Sequence, residues 1–208
     1  MTVRVLDHPL VQHKLTLMRE ETCPSSEFRR LLREIGGLLC FEATRDLRLS
    51  TRSIRTPVAT TEAPCLVGRP PVVAPVLRAG LGLADGMLDL VTEAEVAHIG
   101  LRRDEVTHRP EVYFMKAPTD LESRTTIVVD PMLATGHSAV SALTMLKEAG
   151  AKDLRFVCLV AAPEGLGTLQ AAFPSLPIVT ASIDERLDRN AYIVPGLGDA
   201  GDRLYGTE

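Results

Sequence analysis

The chain has 208 residues, 45% of them hydrophobic and 24% charged, which is enough apolar material for a buried core and argues against disorder. A formal net charge of −4 excludes a broad cationic surface, so no nucleic-acid partner is expected, although a local basic pocket fits the same balance. Cys23, Cys40, Cys65 and Cys158 form no C-x-x-C pair, which disfavours a zinc site or disulfide framework and points to reduced thiols in a cytoplasmic protein.

In chain order, Arg4, Asp7 and His8 interrupt the first ten residues, so no secretory leader is expected there. Pro9, followed by Leu10, Val11, Leu15, Leu17 and Met18, predicts an amphipathic helix with the proline in its first turn. Ser25 or Ser26 is placed to cap a second helix. Its apolar face carries Phe28, Leu31, Leu32, Ile35, Leu38 and Leu39, and the pattern runs on through Ala43 and Leu47. Residues 1–50 are therefore read as N-terminal helices that supply packing. Strand patterns follow at 72–77, 96–101, 125–129, 154–161 and 178–182, with helix patterns at 82–91, 139–149 and 164–173. Gly150 stands where a helix-ending glycine belongs. This alternation implies an α/β fold built on a central, mainly parallel sheet flanked by helices. The longest apolar run, 156–163, falls far short of the roughly 18 residues of a membrane span, so no membrane partner is expected. Two stretches break the alternation. Residues 102–118 are polar around Tyr113 and Phe114 and read as a protruding β-arm. Residues 183–208 are rich in glycine and read as a C-terminal hood of tight backbone around a ligand.

Ligands of open α/β sheets bind at the carboxyl ends of the strands, and three segments fall at such places. The first is Leu77-Arg78-Ala79-Gly80-Leu81-Gly82. Arg78 is expected in a crevice, where a guanidinium grips phosphate through two donors; the plain alternative is a surface arginine in a turn. Gly80, Gly82 and Gly86 also come close to a dinucleotide fingerprint, which would make a nicotinamide-dependent enzyme, but the third glycine is one residue late.

The second segment is Asp130-Pro131-Met132-Leu133-Ala134-Thr135-Gly136-His137-Ser138. An acid closes a buried strand, a loop of small residues follows, and a helix opens. The carboxylate can accept hydrogen bonds from vicinal ribose hydroxyls. The loop amides and the Thr135 and Ser138 hydroxyls can cradle a phosphate at the positive end of the helix. There is no Walker lysine, which disfavours an NTPase. The third segment runs from Tyr192 and Ile193 through Pro195-Gly196-Leu197-Gly198-Asp199-Ala200-Gly201-Asp202. Its glycines let main chain approach a flat ligand, and Asp199 and Asp202 can act on a proton or a metal-bound water.

Together with His8-Pro9-Leu10-Val11 and Ala161-Ala162-Pro163-Glu164-Gly165, these segments make the chain resemble the uracil phosphoribosyltransferase family over essentially its whole length. The proline after Asp130 is telling, because most other phosphoribosyltransferases carry a second acid there. The resemblance implies one type I phosphoribosyltransferase domain over residues 1–208, with a flexible arm at 102–118 and a uracil-binding hood at 183–208. It implies transfer of the phosphoribosyl group of phosphoribosyl pyrophosphate (PRPP) to uracil, giving UMP and pyrophosphate in pyrimidine salvage. Mg2+ is expected to arrive with PRPP, with no direct protein ligand.

By the same resemblance Arg78 and Arg103 lie on the pyrophosphate side. Asp130, Pro131, Met132, Leu133, Ala134, Thr135, Gly136, His137 and Ser138 surround the ribose 5-phosphate. Ile193, Gly198 and Ala200 contact uracil through main-chain groups. Asp199 stands near both substrates, as a base or as a positioning group. Arg78, Arg103, Asp130 and Asp199 form the implied catalytic set. Two departures stand out. His137 occupies a place where the family has glycine, and a positive φ there would strain it; its imidazole is expected to face solvent or to add a phosphate contact. Arg102 replaces a tyrosine, so Arg102 and Arg103 are able to exchange roles. A homodimer or higher homo-oligomer and activation by GTP are implied by the resemblance alone. An RNA-binding regulator with the same fold is the alternative class, disfavoured by the acidic balance.

Overall fold

The computed structural model describes residues 3–103 and 110–207, apart from the side chains of residues 103 and 110. Its elements in chain order are β1 (Val3–Val5), α1 (Pro9–Arg19), α2 (Ser25–Ala43), β2 (Leu49–Arg55), β3 (Thr60–Leu66), β4 (Val72–Leu77), α3 (Gly80–Leu90), β5 (Glu95–Val96), β6 (His98–Arg103) and β7 (Pro110–Lys116). A short 3-10 turn (Leu121–Ser123) leads to β8 (Thr125–Val129), β9 (Met132–Leu133), α4 (His137–Glu148), β10 (Asp153–Ala161), α5 (Pro163–Ala172) and β11 (Ile178–Ile183). The hood holds β12 (Arg186–Leu187), β13 (Ile193–Val194) and α6 (Ala200–Tyr205).

The main sheet has the order β1-β11-β10-β8-β4-β6-β7, with β5 beside β4 and β9 beside β10. Its pairings are parallel except for β6 with β7. The strand period sorts side chains to two faces. On β10, Val157 and Leu159 join the core under α1, α2, α3 and α6, whereas Phe156 and Cys158 join the core under α4 and α5. The three strands β4, β8 and β10 are almost wholly buried, as parallel strands covered on both sides require.

Several expectations are corrected. The second helix begins at Ser25 itself, with Pro24 as its N-cap and no side-chain cap. It stops at Ala43, short of Leu47, where the Thr44 hydroxyl and N–H both bind the Cys40 carbonyl. An antiparallel hairpin, β2–β3, then follows that the sequence did not announce. It stands apart from the main sheet and is exposed on both faces, so it carries no alternation of apolar and polar residues. The strand expected at 96–101 is divided between β5 and β6. The arm expected at 102–118 belongs to β6 and β7, which pair antiparallel between His98 and Lys116; residues 104–109 of it lie outside the described residues. The glycines after Arg78 serve helix packing. A Cβ on Gly86 would stand 1.9 Å from the Arg33 carbonyl oxygen of α2, and one on Gly80 2.6 Å from the Val129 carbonyl oxygen of β8, so the apparent dinucleotide fingerprint reflects close approaches of α3 to α2 and to the sheet.

Candidate active site

A cavity of about 380 Å³ opens where β4, β8 and β9 end. One wall is the loop after β8: Asp130, Met132, Leu133, Ala134, Thr135, Gly136 and Ser138. The facing wall is the hood, with Asn190, Ala191, Tyr192, Ile193, Gly198, Asp199, Ala200 and Gly201. Ala79, from the turn after β4, and Ala139 of α4 complete the lining. Segments distant in sequence thus meet around one space, at the carboxyl ends of the strands where α/β folds bind ligands.

The loop is shaped by close packing. Gly136 is the N-cap of α4, with φ of 84°, and a Cβ there would stand 2.7 Å from the Gly165 carbonyl oxygen. Only glycine meets both conditions. The helix has no side-chain cap, so its first N–H groups remain available beside the cavity. Among the described residues, the Thr135 and Ser138 hydroxyls have no hydrogen-bond partner, although both residues line the cavity. Pro131 is buried, does not line the cavity, and anchors the loop by accepting from the N–H groups of Leu159 and Val160 at 3.0 Å. His137 is the first residue of α4 and is exposed. The left-handed φ falls on Gly136 and not on His137, so the strain anticipated for histidine is absent.

Two carboxylates border the cavity. Burial pushes the Asp130 carboxyl up to about 7; the Met132 N–H, 3.3 Å from Oδ1, opposes the rise and the Asp199 charge adds to it. Asp199 is the N-cap of α6 and accepts from Asp202 N–H at 2.9 Å. A Cβ on Gly201 would lie 3.1 Å from Asp199 Oδ1 and 3.9 Å from Arg78 Nη2, so the third segment meets the first there.

Arg78 departs from expectation. Its side chain is 60% exposed and stands at the rim, near Asp202 at 3.6 Å. The reason is that β4 ends at Leu77, and the turn lifts the next side chain clear of the buried strand. The side chain of Arg103 lies outside the described residues. Arg102 donates from Nε to Glu111 across the arm at 2.8 Å. The sequence reading missed Asn190 and Ala191, which line the cavity beside Tyr192. Their turn is built on Asp188, whose Oδ1 accepts from the N–H groups of Asn190 and Tyr192. The Asp188-x-Asn190 spacing is the sequence trace of that turn.

Among the described residues, no group of three or more His, Cys, Asp or Glu side chains is arranged to hold a metal ion. The two cavity carboxylates are a donor set suited to Mg2+, which keeps several waters and binds through one or two carboxylates plus substrate phosphates. Among the same residues, no helix is long and apolar enough to cross a membrane.

The family described as uracil phosphoribosyltransferase matches residues 5–207. A uracil phosphoribosyltransferase of Brucella anthropi is 59% identical over 208 residues, 100% of each chain. One from Rhizobium meliloti is 58% identical over 206 residues, 99% of each chain. The solved structure of the AQ2163 protein from Aquifex aeolicus superposes with a TM-score of 0.93 at 35% identity, covering 98% of this chain and 97% of that one. The parallel sheet, antiparallel arm and helical layers are the type I phosphoribosyltransferase fold. The chain belongs to the uracil phosphoribosyltransferase family.

Proposed function

We infer that the protein transfers the 5-phosphoribosyl group of PRPP to uracil, giving UMP and pyrophosphate. The observation that carries this reading is the single cavity that joins an uncapped helix start and a strand-end carboxylate to a wall of hood main chain.

The roles follow from the chemistry. The N–H groups at the start of α4, with the Thr135 and Ser138 hydroxyls, bind the 5-phosphate; Pro131 and Gly136 hold the loop in shape, and Met132, Leu133 and Ala134 line the sugar. Asp130 accepts hydrogen bonds from the ribose hydroxyls. Breaking the bond at the anomeric carbon leaves positive charge on the sugar and negative charge on pyrophosphate. Arg78 and Arg103 stabilise the latter, and Mg2+ bound with PRPP supplies further neutralisation when present. Uracil offers acceptor, donor and acceptor along one edge. Main-chain groups of Ile193, Gly198 and Ala200 complement it, and cytosine would leave buried groups unpaired. Asp199 fixes the start of α6 and stands near the reacting nitrogen, whose proton is released as UMP forms.

A magnesium-dependent assay with PRPP tests the reading: UMP is expected from uracil, and no CMP from cytosine offered in its place. Absence of UMP from well-folded protein would overturn it. Arg78→Ala and Asp130→Asn are each expected to cut the rate about a hundredfold. Homo-oligomerisation and GTP activation belong to the same reading. The exposed Leu49, Val58 and Leu66 of the β2–β3 hairpin support the first, which light scattering checks, and assay with and without GTP checks the second.

A further inference from the structure

Behind the hood, Arg19 and Asp184 meet in a two-pronged ion pair. Arg19 Nη1 lies 2.7 Å from Asp184 Oδ2, and Nη2 lies 2.7 Å from Oδ1. The Asp184 side chain is only 3% exposed. Burial alone would raise its pKa, but the Arg19 guanidinium, the Ser182 hydroxyl and the Gly196 N–H outweigh that and hold the carboxyl below its ordinary range.

The pair also grips the two peptide groups that flank Gly196 in the hood. Gly196 N–H donates to Asp184 Oδ2 at 2.8 Å, and the Gly196 carbonyl accepts from Arg19 Nη1 at 2.6 Å. Ser182 Oγ donates to Asp184 Oδ1 at 2.7 Å and completes the set. Both main-chain polar groups of Gly196 are therefore satisfied by one ion pair. Gly196 stands between Ile193 and Gly198, which line the cavity; neither Arg19 nor Asp184 lines it. The bend is tight: Gly196 has φ of 59°, and a Cβ there would stand 2.1 Å from the Ile193 carbonyl oxygen. A turn of the backbone at Gly196 therefore moves Ile193 and Gly198 with it.

We propose that Arg19 and Asp184 are positioning residues that set uracil affinity and the preference for uracil over cytosine, by fixing the backbone on both sides of Gly196. The proposal rests on the reading that residues 193–200 hold the base. Recognition through main chain cannot be tuned by side chains at the contact, so its accuracy depends on whatever holds that main chain still. Charged, buried hydrogen bonds are the strongest available restraint.

The test compares wild type with Arg19→Lys, which keeps charge and loses the fork, and with the double variant Arg19→Met/Asp184→Leu. The double variant replaces the buried pair with apolar side chains and so avoids an unpaired buried charge. KM for uracil, KM for PRPP, the uracil-to-cytosine ratio of kcat/KM, and the melting temperature are measured. The expected result is a rise in uracil KM of about tenfold or more, with a reduced ratio, while KM for PRPP stays within about twofold. If Arg19→Lys does not fold, the double variant carries the test. Unchanged uracil KM and ratio in a folded variant overturns the proposal, as does an equal rise in both KM values. Failure of the wild type to use uracil overturns the functional reading instead.

Discussion

The Tyr205 hydroxyl donates a hydrogen bond to the main-chain carbonyl of Arg78 at 3.1 Å, while the Arg78 guanidinium lies 5.8 Å from the Tyr205 ring centre. One side chain of α6 thus holds both the backbone and the charge of the residue assigned to pyrophosphate. Burial and the nearby Asp85 push the Tyr205 phenol upward, so it stays protonated and remains a donor near neutral pH. Tyr205→Phe, which loses only the hydrogen bond, is expected to raise KM for PRPP about fivefold, and Tyr205→Ala further. Three indistinguishable KM values for PRPP would remove Tyr205 from this role.

Asp130 makes activity and stability respond to pH in opposite senses. Its carboxyl is raised from 3.8 to about 7, and it must be ionised to accept the ribose hydroxyls. The kcat/KM for PRPP is therefore expected to fall as pH drops below about 7, with a limb that is missing in Asp130→Asn.

The stability effect has the opposite sign. Between pH 4 and 7 the folded protein keeps a proton that the unfolded chain has lost, so stability declines as pH rises through that window. Asp130→Asn removes the decline. Its melting temperature is expected to match wild type near pH 4 and to exceed it at pH 8. Parallel melting curves at both pH values would show that the carboxyl is not raised.

Gly136→Ala should separate binding from folding. The added methyl group meets the Gly165 carbonyl oxygen at 2.7 Å and occupies a left-handed backbone position. Loss of most PRPP affinity is expected, with a stability cost of about 1–3 kcal/mol. His137→Gly lies one residue further on, where the backbone is helical and the side chain is exposed. It is expected to leave KM for PRPP within about twofold and to lower stability by about 1 kcal/mol. Titration calorimetry with PRPP checks both.

Gly86→Ala is expected to cost about 3 kcal/mol or to prevent folding, because its Cβ would overlap the Arg33 carbonyl oxygen. Chemical denaturation measures it. A neutral result would mean that α2 and α3 separate freely.

The central sheet was legible because its strands are buried on both sides and read as unbroken apolar runs: the strand expected at 125–129 is β8 without adjustment. The Asp130 loop was legible for a related reason, since its small residues and Gly136 answer to local geometry. The β2–β3 hairpin was not legible. Leu49 and Leu66 face solvent, so no burial imposes a period on either strand. Arg78 follows the plainer of its two readings, an exposed arginine in a turn, because strand burial does not extend past β4. The Arg19–Asp184 pair left no trace, because its two members are brought together only by tertiary structure.

Strand β1 carries a different consequence. Val3 pairs with Ile178 and Val5 with Thr180, so the outer edge of β11 is covered by residues from the opposite end of the chain. During folding, that edge stays open until most of the chain has been brought into place. Its sequence, Ile178-Val179-Thr180-Ala181-Ser182-Ile183, is rich in β-branched residues and carries no charge. An open edge of that kind is a template for strands of other chains, so β1 acts as a guard against aggregation as well as a piece of the sheet.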